Sequence, residues 1–285
     1  MIKLADEIRG KFSDVLSSDG AFDEVLVLEG EIYRAKEGRR TLRFEYGGEN
    51  YFAKIHMGIG WKEVFKNLTA FRLPITDASN EWMAVEVLEH VGVDTVKIVG
   101  KGSRGWNPAK RESFVVMKAL DELVEVEDFL KELGGLQGRR RLELKRVIVR
   151  KVAESARRMH AAGMNHRDFY LCHFHILERD WSDWSPEEDF RLPLIDLHRS
   201  QIRSHVPMRW LAKDLGALLY SAIDCGMTDR DLVAFLRVYL GREWKQRLSD
   251  ESTLWQMVVK RAGGFYQRHR GRKMPLPGVF QRFEY

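Results

Sequence analysis

The sequence predicts an α+β protein of two lobes, a small β-rich amino-terminal lobe and a larger, mostly helical carboxy-terminal lobe. Two observations support this fold class. Runs of β-branched and aromatic residues separated by glycines fill residues 25–55, which is typical of a strand meander. Apolar residues at helical spacing then prevail at 142–160, 208–223 and 229–240. We place the boundary between domains 1–118 and 119–285.

Composition limits the classes of protein to which the chain can belong. Its 285 residues are 44% hydrophobic and 31% charged, which is ordinary for a globular protein with a core. No apolar run approaches the roughly 18 residues of a membrane span, and the first residues lack the apolar core of an export signal. Cys172 and Cys225 are too few for a disulfide framework. We therefore expect a cytoplasmic protein.

The net charge of +5 is concentrated near the carboxy terminus. Residues 260–285 carry seven Lys or Arg and one acid, a local charge of +6, so the rest of the chain sums to −1. Such a segment, which also contains aromatic residues, indicates an anionic partner: a membrane surface, a phosphorylated glycolipid, an acidic protein or nucleic acid. The alternative is a solvated surface segment.

In the first lobe, residues 2–19 predict a short amphipathic helix. Three strands are expected to follow, at Val25–Leu28, Thr41–Tyr46 and Tyr51–Ile55. Gly47-Gly48 forms the turn between the last two. A helix then begins near Ser79 or Asn80, either of which can cap it, and a strand at Ser113–Met117 ends the lobe.

In the second lobe, a helix at Val124–Leu133 is expected to precede the long helix at 142–160, which Gly163 stops. Short strands follow at Phe174–Leu177 and Leu192–Ile195, with residues 178–190 as an excursion between them. The helices at 208–223 and 229–240 and the basic carboxy-terminal segment complete the chain.

A short motif lies between the long helix and the first of these strands. It is His166-Arg167-Asp168, and a second aspartate, Asp196, ends the second apolar run. Kinases present a base to a hydroxyl and a carboxylate to Mg²⁺ in the same order of elements: helix, loop, strand, turn, strand and aspartate. We therefore predict a catalytic site formed by His166, Arg167 and Asp168, with Asp168 as the base and Asp196 as a metal ligand.

The first lobe offers residues for binding a nucleotide. Lys54 lies in Phe-Ala-Lys-Ile, close to the kinase strand motif whose lysine holds nucleotide phosphates, although most strand lysines merely face solvent. Kinases pair that lysine with a helix glutamate, for which we choose Glu81, with Glu86 as the alternative. No G-x-G-x-x-G is present, so further candidates for binding ATP are a turn and the end of a strand: Gly38 and Arg40, and Met117 and Ala119.

The acceptor is expected to be small or a glycan. The stretch after Asp196 is short and lacks the Ala-Pro-Glu with which protein kinases end their activation segment. Gly58-Ile59-Gly60-Trp61-Lys62-Glu63 follows the third strand, and Lys62 can meet an anion there. A plain turn between a strand and a helix is the alternative for this stretch.

The sequence resembles the bacterial lipopolysaccharide core heptose(I) kinases, a family within the protein-kinase-like superfamily. The residues that carry the resemblance span roughly Leu42 to Arg199, and they are Tyr51–His56, Gly58–Glu63, Ser79–Trp82, Asn165–Phe174 and Ile195–Arg199. The Trp-Lys-Glu and Tyr-Leu-Cys-His stretches within them are more specific than His-Arg-Asp alone.

The resemblance implies a bilobal protein-kinase-like fold and an enzyme that uses ATP and Mg²⁺ to phosphorylate the first heptose of the inner core. It implies work on the cytoplasmic face of the inner membrane, and it gives Asp168, Asp196, Lys54 and Glu81 the roles stated above. His173 stands where protein kinases have a metal-binding Asn, so it is assigned to the metal or to orienting Asp168. Contacts with the substrate are assigned to Trp61, Lys62, His198 and Arg199.

The implied partners are anionic. They are the core glycolipid, the inner-membrane surface through the basic segment, and acyl carrier protein, whereas nucleic acid is not expected. Two other functions stay open at this point. One is a different small-molecule kinase of aminoglycoside or choline type, and the other is a catalytically silent kinase-like binding module.

Overall fold

A computed structural model describes residues 2–12, 18–36, 38–58, 60–61, 65, 69, 77–107, 109–132, 138–177 and 189–284. Two compact units divide the chain. The first comprises Met1–Glu86, Val96–Asp121 and Leu197–Arg199, and the second comprises Val87–Thr95, Glu122–Asp196 and Ser200–Tyr285. The chain therefore passes from the first unit to the second at two of these boundaries, one near residue 121 and one within a helix, after Glu86. The predicted excursion at 178–190 lies almost wholly outside the described residues.

The first unit is built on a six-stranded antiparallel sheet of order β1-β5-β6-β4-β3-β2. Its elements are β1 (Ile2–Leu4), α1 (Asp6–Arg9), α2 (Ser18–Leu26), β2 (Glu31–Lys36), β3 (Arg39–Tyr46), β4 (Glu49–Met57), α3 (Ser79–His90, which continues into the second unit), β5 (Ile98–Arg104) and β6 (Glu112–Lys118). The meander β2-β3-β4 and the strand β6 beside it carry the candidate nucleotide-binding residues.

The hairpin β3–β4 confirms the turn that the sequence predicts. Gly47 and Gly48 have φ values of 62° and 77°, and Tyr46 pairs with Glu49 across them. A two-residue hairpin loop with positive φ at both positions matches the right-handed twist of the strands and favours glycine. The register of β4 is thereby fixed, and with it the face from which Lys54 projects.

Strand β4 separates the core of this unit from its other face. Tyr51, Ala53 and Ile55 are buried in a cluster that includes Phe22 of α2, while Phe52 and Lys54 alternate to the opposite side and are half-buried. Because successive side chains of a strand point to opposite faces, one continuous pattern gives both the core and the placement of the lysine.

The amino-terminal predictions are wrong in two places. Residues 2–4 form a strand instead of the start of a helix, and Val25–Leu28 is not a strand because α2 continues to Leu26. Ala21, Phe22 and Val25 are all buried, at the spacing of one helix face. A run of four apolar residues fits a buried helix end as well as a strand. The first strand of the meander is instead β2, whose side chains are mostly exposed.

The second unit is mostly helical. Its elements are β7 (Leu123–Glu125), α4 (Val126–Glu132), α5 (Arg139–Ala161), β8 (Met164–Asn165), β9 (His175–Leu177), β10 (Gln201–Ile202), α6 (Met208–Asp224), α7 (Asp229–Leu240), α8 (Trp244–Asp250), α9 (Ser252–Arg270) and 3-10 turns that include Leu171–His173 and Gly278–Phe283. The predicted long helix, the strand at 174–177 and the helices at 208–223 and 229–240 are confirmed to within a few residues.

Helix packing in this unit follows the apolar pattern of each helix. Leu144, Ile148 and Val152 are buried on α5, which packs against α7 and is joined to it by the ion pair Lys145–Asp231 at 2.7 Å. Gly216 lets α6 approach α9, because a Cβ there would lie 2.8 Å from Cβ of Arg261. Together these helices support the loop that carries the His-Arg-Asp motif.

Two predictions in this unit need correction. Leu123–Glu125 pairs with β9, so the helix expected from Val124 begins at Val126. The expected strand Leu192–Ile195 is reduced to one bridge, Phe174 to Leu194. Leu192, Pro193 and Leu194 of that run are buried, which explains the misleading pattern.

The basic segment is partly helical. Residues 260–270 are the end of α9, and Phe280, in the turn that follows, stacks on Trp255 with centroids 5.8 Å apart. The segment is therefore anchored by apolar contacts, and its charges lie along a defined surface. None of the helices in the part of the chain that the structure describes has the length and apolar character to cross a membrane.

Candidate active site

In the first unit, the structure brings Lys54 and Glu81 together. Nζ of Lys54 lies 2.5 Å from Oε1 of Glu81, with the two side chains 25% and 6% exposed. Glu81 sits in the first turn of α3, near the positive end of the helix dipole. The alternative partner, Glu86, instead pairs with Lys101. A partly buried pair of this kind fixes the position of a lysine better than an exposed one.

The cap of α3 differs from the prediction. Neither Ser79 nor Asn80 caps the helix; instead, Oδ1 of Asp77 accepts hydrogen bonds from the backbone N–H and the hydroxyl of Ser79. Asp77 is 5% exposed and also pairs with Arg111 at 2.7 Å. The start of the helix that carries Glu81 is therefore held by a buried carboxylate.

The remaining nucleotide candidates have structural partners. Gly38 (φ 72°) lets its turn approach Gly58, since a Cβ would lie 2.3 Å from the carbonyl oxygen of Gly58. The guanidinium of Arg40 donates to the carbonyl of Leu26 at 2.8 Å, so it completes the end of α2. The guanidinium of Arg40, which is predicted to contact phosphate, thus already binds a backbone carbonyl.

The strand-end candidates lie in the sheet. Met117 is 5% exposed and packs in a small cluster with Ala78 and Val115. The N–H of Ala119 donates to the carbonyl of Asn50 at 2.8 Å, so this donor is not free for adenine. That Ala119 binds the nucleotide through another group stays a prediction.

The structure shows fewer contacts for the residues predicted to contact the substrate. Trp61 is half-exposed and packs on Phe65, with ring centroids 5.7 Å apart, whereas Lys62 lies outside the described residues. His198 and Arg199 form the 3-10 turn Leu197–Arg199, which clusters with the first unit.

In the second unit, a buried carboxylate holds the catalytic loop (Asn165–His173) in place. Asp214 of α6 is fully buried. Its two oxygens accept the backbone N–H groups of His166 at 2.6 Å and of Arg167 at 2.8 Å. Its charge-assisted hydrogen bonds are stronger than those between neutral groups, so Asp214 sets the position of the loop.

The loop has a strained backbone where the motif lies. Arg167 has φ 76° and Asp196 has φ 62°, a region that non-glycine residues rarely adopt and that costs about 1–3 kcal/mol at each position. Strain of this kind persists where the surrounding structure over-determines it. The bonds from Asp214 to the Arg167 N–H and its neighbour provide that support.

His166 does not have the catalytic role that the motif predicts. The ring of His166 is fully buried, burial lowers its pKa, and its Nε2–H donates to the carbonyl of Ile195 at 3.0 Å. The guanidinium of Arg167 lies 5.1 Å above the ring of Trp210. His166 therefore positions the loop instead of touching a substrate, and it connects the loop to the residue before Asp196, whereas the catalytic role of Arg167 stays a prediction.

Asp168 is accessible and has a cationic neighbour. Its carboxylate lies 3.6 Å from Nζ of Lys213 on α6. His173 links the backbone of Asp168 to the side chain of Asp196, because its Nδ1 lies 2.6 Å from the carbonyl oxygen of Asp168 and its Nε2 lies 3.6 Å from Oδ2 of Asp196. A carbonyl oxygen can only accept a hydrogen bond, so Nδ1 of His173 is the donor in this contact.

Two residues of this site were not found from the sequence. Asp214 lies 48 positions after His166 in the chain, and Lys213 lies beside it. Their sequence signal is weak, because adjacent charges in a mostly apolar helix more often belong to a solvated face. Among the residues that the structure describes, no three His, Cys, Asp or Glu side chains are grouped to hold a metal ion.

These two sets of residues define a protein-kinase-like phosphotransferase: a strand lysine held by a helix glutamate, and a carboxylate on a loop whose backbone is fixed from a helix. The model of the lipopolysaccharide kinase (Kdo/WaaP) family matches residues 23–239, and the chain belongs to this family. Membership of a kinase family implies ATP as the phosphoryl donor. The resemblance predicted from the sequence is confirmed, as is the fold class.

Relatives agree over most of the chain. Lipopolysaccharide core heptose(I) kinase WaaP of Pseudomonas aeruginosa is 44% identical over 247 residues, 87% of this chain and 90% of the relative. The enzyme of the same name from Escherichia coli K12 is 39% identical over 262 residues, 92% and 97% of the two chains. A solved structure of WaaP in complex with acyl carrier protein superposes with a TM-score of 0.76 at 37% identity, covering 93% of this chain and 99% of that one.

Proposed function

We propose that this protein transfers the γ-phosphoryl group of ATP to the first heptose of the lipopolysaccharide inner core. The observation that carries the proposal is the identity of 39–44% to two core heptose(I) kinases over at least 87% of the chain. The described residues supply groups that suit such a transfer, which depends mainly on positioning and neutralisation of charge.

Asp168 is the proposed base. Its carboxylate accepts the proton of the heptose hydroxyl as that oxygen attacks phosphorus, a contribution of about 10²–10⁴-fold. Lys213, 3.6 Å away, adds positive charge where the phosphoryl group arrives. His173 orients Asp168 through its carbonyl.

Asp196 is the proposed Mg²⁺ ligand. Carboxylate oxygens suit this hard cation, which is usually held by one or two carboxylates, waters and substrate phosphates, so the lack of a three-residue cluster among the described residues is no obstacle. Mg²⁺ would neutralise the charge on the phosphates. A direct bond to His173 is less favourable than to an oxygen, and we assign His173 to holding Asp168 and Asp196 in register.

Lys54 is proposed to bind the nucleotide phosphates, with Glu81 fixing its ammonium group. The proposed contacts with the substrate remain Trp61, Lys62, His198 and Arg199, and the proposed contacts with the nucleotide remain Gly38 and Met117.

The basic segment is proposed to attract the anionic inner-membrane surface, at about 1 kcal/mol for each basic residue close to it. Acyl carrier protein, which WaaP binds in the solved complex, is a proposed partner through the same kind of charge.

The test of the proposed function is transfer of phosphate from Mg-ATP to dephosphorylated inner-core lipopolysaccharide. We expect the heptose to be phosphorylated by the wild type, and transfer to be lost on chelation of Mg²⁺ and in Asp196→Ala. Mass spectrometry of the core measures the product. Transfer to an aminoglycoside or choline instead would refute the acceptor, and a protein that binds ATP without turnover on any acceptor would support a silent module.

The lysine–glutamate pair gives a second prediction. Glu81→Gln removes the charge that holds Lys54, and we expect kcat/KM for ATP to fall by about 10²-fold, since misplacing a phosphate-binding group costs roughly that much. Steady-state kinetics with varied ATP measure the change. Glu86→Gln is the matched control, because Glu86 lies on the same helix and pairs with another strand lysine, Lys101. Equal losses in both variants would contradict the role of Glu81.

A further inference from the structure

A cluster of aromatic rings lies next to the catalytic loop and is not used by the chemistry described above. Tyr170, two residues after Asp168, packs edge-on against Phe265 of α9 with centroids 5.9 Å apart. Tyr220 of α6 contacts both rings, at 6.3 and 6.1 Å, and the ring of His269 lies 5.5 Å from Tyr220. The aromatic cluster (Tyr170, Tyr220, Phe265 and His269) is half-buried to exposed, so parts of its rings face solvent.

An arginine borders this aromatic cluster. The guanidinium carbon of Arg268 lies 6.0 Å from the centre of the Phe265 ring, and the side chain is exposed. Within the described ranges no carboxylate forms an ion pair with Arg268, whereas Arg270 is held by both oxygens of Asp224 at 2.6 and 2.7 Å. A guanidinium fork matches the geometry of a carboxylate or a phosphate.

Two glycines in α9 expose bare backbone at the same place. Gly263 and Gly264 precede Phe265, and a Cβ at either would meet no described atom within 4 Å. Glycine in a helix interior is destabilising relative to alanine, and among the described residues no neighbouring element needs the space. Gly264 and Arg268 are four residues apart, on one face of the helix. Such glycines are typical of positions where a ligand approaches the backbone closely.

The aromatic cluster and the base are also linked electrostatically. Burial is the main cause that raises the pKa of the Tyr170 phenol; the charge of Asp168 raises it further and the charge of Arg268 lowers it. The backbone N–H of Tyr170 donates to the carbonyl of Asp168 at 3.0 Å. A molecule lying on the aromatic cluster is therefore within reach of the group that accepts the proton.

We propose that the aromatic cluster, Gly264 and Arg268 form the binding surface for the sugar portion of the acceptor, an acidic saccharide. The C–H face of a pyranose ring packs on the aromatic rings, the bare backbone at Gly264 admits it, and Arg268 binds a carboxylate or phosphate on a neighbouring sugar. The inference rests on the proposed function, because Asp168 beside the surface is the base of that reaction.

The test uses the full chain with a deacylated, dephosphorylated inner-core oligosaccharide, so that no membrane is present. Arg268→Ala should raise the KM for this acceptor about tenfold or more, as expected for loss of a hydrogen-bonded charge, and leave the KM for ATP unchanged. Arg237→Ala is the matched control, since Arg237 is also exposed and also lies over an aromatic ring, that of Trp244, at 5.8 Å. A rise in the KM for ATP instead would assign Arg268 to the nucleotide.

A second variant separates binding from folding. Gly264→Ala should leave the melting temperature equal or higher, because alanine favours the helix and meets no described atom, yet raise the acceptor KM. An acceptor KM equal to wild type in both Arg268→Ala and Gly264→Ala would overturn the surface and leave heptose transfer intact. If the wild type transfers no phosphate, calorimetric titration with the oligosaccharide decides: weaker binding by Arg268→Ala supports the surface, and equal or absent binding overturns it.

Discussion

Asp168→Asn should lower kcat for phosphoryl transfer by about 10²–10⁴-fold, the contribution of a general base, with little change in the KM for ATP. The amide has nearly the same shape as the carboxylate but cannot accept the proton of the acceptor hydroxyl. It also loses the attraction to Lys213, which lies 3.6 Å away. Initial rates with saturating Mg-ATP and acceptor measure the effect.

The control for this variant is Asp250→Asn, which removes the same charge from an exposed position at the end of α8. We expect Asp250→Asn to keep the wild-type rate and both variants to keep the wild-type melting temperature within a degree or two. A kcat for Asp168→Asn close to that of the wild type would show that another group takes the proton.

The parts of the site that follow from local pattern could be predicted from the sequence. Lys54 lies in an alternating strand whose core side is plain from Tyr51, Ala53 and Ile55, and Glu81 lies in the first turn of the next helix. The pairing of the two then depends on one choice between Glu81 and Glu86, which the structure resolves at 2.5 Å. The helix Asp229–Leu240 has the predicted bounds, because its apolar period is regular and Thr228 caps it.

The parts that depend on contacts distant in sequence could not be predicted. The run Val25–Leu28 carries β-branched residues, but Val25 is buried on a helix face with Phe22, and packing overrides propensity. The motif suggested that His166 is catalytic, yet its ring is fully buried against Ile195. The residue that fixes the loop, Asp214, is 48 positions away from His166, so no local pattern connects them.

Asp214→Ala should cause the largest loss of stability among the substitutions considered. It leaves the N–H groups of His166 and Arg167 buried without their acceptor, and each such group costs about 1–3 kcal/mol. It also removes the support for the φ of 76° at Arg167. We expect the melting temperature to fall by roughly 4–24 °C, since about 2–4 °C corresponds to 1 kcal/mol in a chain of this size.

Ser221→Ala provides a graded comparison on the same helix, because the Ser221 hydroxyl accepts a single backbone N–H of the loop, that of Leu171, at 3.1 Å. It should destabilise the protein less than Asp214→Ala. Asp214→Asn keeps one acceptor oxygen but turns an NH₂ group towards the second N–H, so it should fold better than the alanine variant and still lose kcat well below its melting temperature. That pattern separates positioning of Asp168 from global stability. If Asp214→Asn lost only stability, its kcat at low temperature would match that of the wild type. The buried carboxylate would then hold the fold together without setting the geometry of the catalytic loop.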